Sequence, residues 1–229
     1  MTLFNKIITP ATKNGKLYVE RGRAMAGLGD TKGAFTEFDR AIAIDSNAIS
    51  DAYSHRGNTK LAMKDYAGAE SDIEKAIAKN GSNDGAYFYR AKLKMIQKNY
   101  EGAVYDYVSV LLINPDNIKT YAYRALAESF TSDTANMRTD FQRAMKLRPK
   151  DETSYILRGK AKLNLNNPTG ALADFKTAVE LNPKNYDSWL NLGLWKENNN
   201  DKAGGCADLN KAVALGSKDA AEAVQKYCK

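Results

Sequence analysis

Five arginines, Arg21, Arg56, Arg90, Arg124 and Arg158, recur along this chain at nearly constant intervals, and a parallel row of acids keeps step with them: Glu37, Asp72, Asp106, Asp140, Asp174 and Asp208. Two kinds of chemistry are open to such rows. A guanidinium is a planar fork that can grip a carboxylate with two hydrogen bonds, so each arginine can close on the acid of its own register as a built-in ion pair. Alternatively, the arginines form a ladder that collects acidic ligands. The structural pairing is favoured because the acids recur in step with the arginines. It predicts Arg158 bonded to Asp174, and it leaves Asp208, opposite Leu192, to turn elsewhere.

Catalytic groups are sparse. His55 is the only histidine and reads as a helix-surface or inter-helix residue rather than a general base. No phosphate loop of the form G-x4-G-K-[ST] occurs, and "GDTKG" is a helix–helix turn. Two cysteines and one histidine fall short of the usual metal-ligand sets. The chain is therefore expected to be no enzyme and to need no cofactor. Cys206 and Cys228 admit two readings. As a disulfide closing about 22 residues they would add on the order of 3 kcal/mol and imply an oxidising compartment, periplasmic or extracellular. As two thiols they would fit a cytoplasmic protein.

Net charge is +7, from 34 Lys and Arg against 27 Asp and Glu, which biases the chain towards acidic partners without forming a motif. Consecutive basic residues and Arg/Gly-rich tails are missing, so nucleic-acid binding is disfavoured. The longest apolar run, near residues 108–113, is too short to cross a membrane. "MTLFNKIITP" lacks the basic start and long apolar core of a signal peptide, an absence that decides little for a mature chain.

What must position these rows is a repeat. Aromatic anchors stand at Tyr18, Tyr53, Tyr87, Tyr121, Tyr155 and Trp189, spaced by 35 and then four times by 34 residues. Sixteen after each comes Ala34, Ala69, Ala103, Met137, Ala171 or Gly205. Then follow a large residue (Phe38, Ile73, Tyr107, Phe141, Phe175, Leu209) and a small one (Ala41, Ala76, Val110, Ala144, Ala178, Ala212). Each unit reads as two helices, the first with an apolar stripe at the anchor and four and seven residues on. Breakers such as "GLGD", "MKDY", "QKNY" and "LNNP" separate the two, and Pro115, Pro149 and Pro183 stop the second. The small residues allow close backbone approach and the large one fills the space beside them.

This ladder resembles the tetratricopeptide repeat family, whose pattern W-x2-L-G-x2-Y, then A-x3-F, A and P spans 34 residues. The resemblance covers 15–219 as six repeats, at 15–48, 50–83, 84–117, 118–151, 152–185 and 186–219, with a capping helix at 220–229 and a separate segment at 1–14. "LFNKII" in that segment reads either as the remnant of a preceding second helix or as an arbitrary cap. The arginines replace the family's leucine, Ala91 and Ala125 replace its glycine, and Met137 and Gly205 replace its small alanine. Repeat four, with "FTSDTANMR" at its turn, is expected to pack least regularly.

The resemblance implies an all-α right-handed superhelix, an α-solenoid of helix-turn-helix repeats, that works as a scaffold binding a peptide or partner protein along a concave groove lined by first helices. The implied lining positions are one, five, eight and nine after each anchor. They give Val19, Arg23, Ser54, Asn58, Leu61, Phe88, Lys92, Met95, Ile96, Ala122, Leu126, Ser129, Phe130, Ile156, Lys160 and Leu163. Repeats three to five would thus form an apolar floor beside Lys92 and Lys160, suited to an acidic-apolar peptide. The other reading of Phe88, Met95 and Phe130 is plain inter-repeat packing. The lysine–asparagine clamp that some members use for acidic tails is missing, since Val19 stands at its first lysine. A structural spacer within a longer chain and a polyanion binder remain the alternatives.

Overall fold

The computed structural model describes residues 12–131 and 134–228, and these fold into thirteen α-helices with no strand among the described residues. Contacts divide the chain after Asp116 into two compact units. The first holds α1 (Gly15–Gly27), α2 (Thr31–Ile44), α3 (Ile49–Ala62), α4 (Tyr66–Lys79), α5 (Asp84–Ile96) and α6 (Tyr100–Ile113). The second holds α7 (Ile118–Glu128), α8 (Thr134–Leu147), α9 (Glu152–Asn164), α10 (Pro168–Leu181), α11 (Tyr186–Asn198), α12 (Lys202–Ala214) and α13 (Lys218–Tyr227). Successive helices pair as hairpins and hairpins stack in tandem within each unit, the arrangement of an α-solenoid. "LFNKII" lies outside the described residues.

One turn design makes the hairpins. Gly29, Lys64, Lys98, Asn166 and Asn200, each eleven residues after its anchor, adopt positive φ between 54° and 85°. The next residue then sends its N–H back five positions, as in Lys60 O to Asp65 N–H at 3.0 Å, which closes the first helix. That same residue caps the second helix. Asp30, Asp65, Asn99, Asn167 and Asp201 accept from the N–H of Gly33, Gly68, Gly102, Gly170 and Gly204 at 2.9–3.0 Å. A Cβ on Gly68 would stand 2.2 Å from Asp65 Oδ2, so side chain and cap compete for one space.

Packing within a hairpin rests on the same economy of volume. Phe38 and Phe175 are fully buried, and a Cβ on Gly22 or Gly159 would lie 2.7 or 2.5 Å from their rings. Each such side chain contributes roughly 1.5–3 kcal/mol on leaving water. Ala34, Ala41, Ala171 and Ala178 are completely buried on the same helices, and Ala69 and Ala76 are so on the helix of Ile73. The expected apolar stripe needs one correction: seven residues after the anchor stand Lys60, Lys94, Glu128, Lys162 and Lys196 in five of the six repeats. The buried first-helix face is instead built from residues such as Ala86, Ala91 and Leu93 in α5.

Candidate interaction surfaces

Along the seam of each of the first five hairpins the structure places an arginine of the first helix against an acid of the second. Arg56 donates from Nε and Nη2 to the two oxygens of Asp72 at 2.8 and 2.7 Å. Arg90 repeats this on Asp106 at 3.0 and 2.8 Å, Arg124 on Asp140 at 2.6 and 2.8 Å, and Arg158 on Asp174 at 2.9 and 2.6 Å. Arg21 reaches Glu37 through a single oxygen, Oε2, at 2.8 Å from Nε and 2.6 Å from Nη2. These arginines also lie over their own anchor rings three residues earlier, 5.1–5.8 Å from the centroids of Tyr18, Tyr53, Tyr87, Tyr121 and Tyr155. The tyrosine–arginine spacing is thus one device: the ring steadies a guanidinium whose edge holds the acid.

Sequence reasoning missed a second cation. Lys60, Lys94 and Lys162 meet Asp72, Asp106 and Asp174 at 2.7–2.8 Å, and each also donates to the carbonyl of Gly68, Gly102 or Gly170. The signal was legible as a lysine recurring seven residues after the anchor. It also overturns one expectation, because Asp208 does not turn away: Lys196 pairs with it at 2.7 Å in place of the missing arginine. In the first unit Arg56 further engages Asp39, and Arg90 engages Glu74 at 3.0 Å. Hydrogen bonds donated to Asp72 and Asp106 raise the pKa of Arg56 and Arg90 against the opposing effect of burial. Burial alone would push Asp72 up, but hydrogen bonds and charge from Arg56 and Lys60 bring it below its ordinary value. Much of the positive charge is therefore already neutralised inside the hairpins.

The positions one after the anchor do not line an open groove. Val19, Ser54, Ala122 and Ile156 are all buried, because they face neighbouring helices. Phe88 packs edge-on against Tyr107, ring centroids 5.6 Å apart. Asn58, Lys92, Met95 and Leu126 are half-buried, whereas Arg23, Phe130 and Lys160 are exposed, and Arg23 is bonded to Glu20 at 2.8 Å.

Ionisable groups two and five residues after the anchors mark one first-helix face in each unit. In the first, His55 is held down at about 4 by burial and by the Arg23 charge, so its imidazole is neutral near pH 7. It meets the Tyr89 hydroxyl at 3.4 Å, and burial raises that phenol. In the second unit, burial raises Tyr123, with Asp187 and Asp151 adding to it. Lys160 is reached by solvent yet so enclosed by protein that desolvation lowers its pKa, against the opposing pull of Asp187.

At the end of the second unit a disulfide joins Cys206 of α12 to Cys228 beyond α13. Glu197 lies beside it, Oε1 3.3 Å from Cys206 Sγ, and a Cβ on Gly205, where four other repeats have alanine, would stand 2.6 Å from that oxygen. Glu197, Cys206 and Cys228 form a three-ligand cluster among the described residues, but both sulfurs are engaged in the disulfide.

No curated protein matches the sequence. Among solved structures the chain is similar to a tetratricopeptide repeat protein from Parabacteroides merdae, with TM-score 0.77 and 17% identity over 95% of this chain and 84% of that one. It is similar to pilF of Pseudomonas aeruginosa, with TM-score 0.63 and 16% identity over 93% and 98%. The protein YrrB, described as having an unusual peptide-binding site, gives TM-score 0.54 and 16% identity over 81% and 95%. Such identities speak for the fold alone. The tetratricopeptide repeat profile itself matches residues 56–118 and 156–220, more than half of the sequence. With the tandem hairpins and their recurrent seam, that match establishes that the chain belongs to the tetratricopeptide repeat family, whose members are generally non-catalytic scaffolds for protein–protein interaction.

Proposed function

We propose that the chain is a non-catalytic scaffold that binds an acidic, partly apolar peptide segment of a partner protein on the first-helix face of its second unit. The observation that carries this reading is the setting of Lys160. It is a solvent-accessible cation whose pKa desolvation lowers, on α9 between Tyr123 of α7 and Asp187 of α11. A carboxylate arriving there meets a charge that water screens less than at an open surface. Leu126, half-buried on α7, supplies apolar contact on the same group of helices. In the first unit Arg23 with half-buried His55 and Tyr89 makes a comparable but separate face. Arg56, Arg90 and Lys162 are unavailable to such a ligand because carboxylates of the hairpins already hold them.

The experiment is selection from a displayed peptide library on the full chain, followed by calorimetry of enriched peptides on wild type, Lys160→Glu and Arg23→Glu. Acidic-apolar peptides that bind wild type and lose at least tenfold on Lys160→Glu support the reading. Peptides without acids, or peptides equally well bound by Lys160→Glu, refute it; loss confined to Arg23→Glu moves the site to the first unit.

A further inference from the structure

The junction between α8 and α9 is the loosest of those inside either unit, whereas α2–α3, α4–α5, α10–α11 and α12–α13 pack closely. Between α8 and α9 lies a cavity of about 600 Å³. Its walls are Met137, Phe141, Met145, Ala161 and Leu165, and its polar groups are Arg138, Gln142, Lys146, Arg158 and Lys162. No acid is among them. Asp174 holds Arg158 Nε, Arg158 Nη2 and Lys162 Nζ from the seam side. That leaves Arg158 Nη1, Arg138 and Lys146 as cationic groups that no carboxylate engages among the described residues.

Comparison among repeats shows what is missing. Asp39 and Glu74 stand 21 residues after their anchors and supply the outer carboxylate to Arg56 and Arg90 of the next hairpin. In repeat four the same register is Gln142, at the cavity wall. Arg158 Nη1 accordingly lies against the Met145 sulfur at 2.9 Å, a weak acceptor where Arg56 and Arg90 have an acid; repeat three carries Val108 at this register. Arg158 is also the most exposed of the five seam arginines, its side chain 32% accessible against 12–20% for the others.

We propose that this cavity binds a monocarboxylate with an extended apolar tail: the tail lies between Met137, Phe141 and Met145, and the carboxylate bonds Arg158 Nη1 in the place that Asp39 and Glu74 fill elsewhere. A fatty-acid-like chain fits better than a peptide. The polar lining is cationic apart from Gln142, so peptide N–H groups drawn into it would lack acceptors and remain unsatisfied. Methionine walls adapt their shape to a flexible chain. The site is distinct from the face proposed above: α9 contributes to both, but Lys160 and Leu126 are not among the residues that line the cavity.

The test uses the full chain with 13C-labelled methionine methyls and decanoate as the probe, below its micelle concentration. Saturable shifts of the Met137 and Met145 methyls, with Met25, Met63 and Met95 unmoved, are expected. Decanol, with the same tail and no charge, should bind at least tenfold more weakly. The decisive variant is Gln142→Glu, which offers Arg158 an internal carboxylate at an exposed position. It should retain the wild-type melting temperature and bind decanoate at least tenfold more weakly. Lys146→Glu, on the cavity rim, serves as a second variant should the first misfold. Equal binding by both variants, uniform shifts of all methyls, tighter binding of decanol, or tighter binding of the peptide acetyl-Glu-Leu-Phe-amide would each overturn the proposal.

Discussion

Replacing Asp106 by Asn is the sharpest test of how the hairpins are held. Asp106 is fully buried and accepts from Arg90 Nε at 3.0 Å, Arg90 Nη2 at 2.8 Å and Lys94 Nζ at 2.7 Å. Asn keeps the shape but removes the charge, leaving two cations facing each other across a neutral amide. Breaking a buried pair costs about 3–5 kcal/mol when the stranded charge is fully enclosed. Here the stranded side chains are 20–22% accessible, so water recovers part of that, and about 3 kcal/mol is the expected loss. Asp208 provides the internal control, since it holds only Lys196, at 2.7 Å, and its own side chain is 10% accessible. Asp208→Asn should therefore cost nearer 1 kcal/mol, one charge-assisted bond instead of three. Urea denaturation of both variants at pH 7 and low salt, followed by circular dichroism, reads the difference of about 2 kcal/mol, roughly thirtyfold in the unfolding constant. Equal losses in the two variants would refute the two-cation account of the seam.

Three further outcomes are expected. The depressed pKa of His55, about 4, means that the unfolded chain gains a proton that the folded one refuses as pH falls below about 6.5; stability is full above that value, drops by at most about 3 kcal/mol towards pH 4, and His55→Gln should flatten the slope in urea midpoints across that window. Reducing the Cys206–Cys228 bridge, which spans 22 residues, should cost on the order of 3 kcal/mol and show first as faster amide exchange in α13, while exchange in α9 and α10 is unchanged. Lys64→Gly relieves a side chain held at φ 64° and should raise the melting midpoint by an amount corresponding to about 1 kcal/mol, whereas Gly68→Ala, blocked by the Asp65 cap, should lower it.

The amino-acid sequence by itself determined the period, the helical hairpin and the family, because those depend on local spacing: an anchor, a small residue and a large one repeated every 34 or 35 positions can bury their apolar faces only by stacking. The arginine–acid register was legible for the same reason, since both partners recur. Tertiary structure decided what depends on direction rather than spacing. Whether Ile156 faces a groove or a neighbouring helix follows from side-chain orientation on a helix that two others flank. Lys196 reaches Asp208 because a flexible ammonium seven residues after the anchor extends to the seam from the next turn, which the missing arginine alone did not reveal. The cavity beside Arg158 exists because α8 and α9 stay apart, and no count of residues along one strand of sequence measures the distance between two helices.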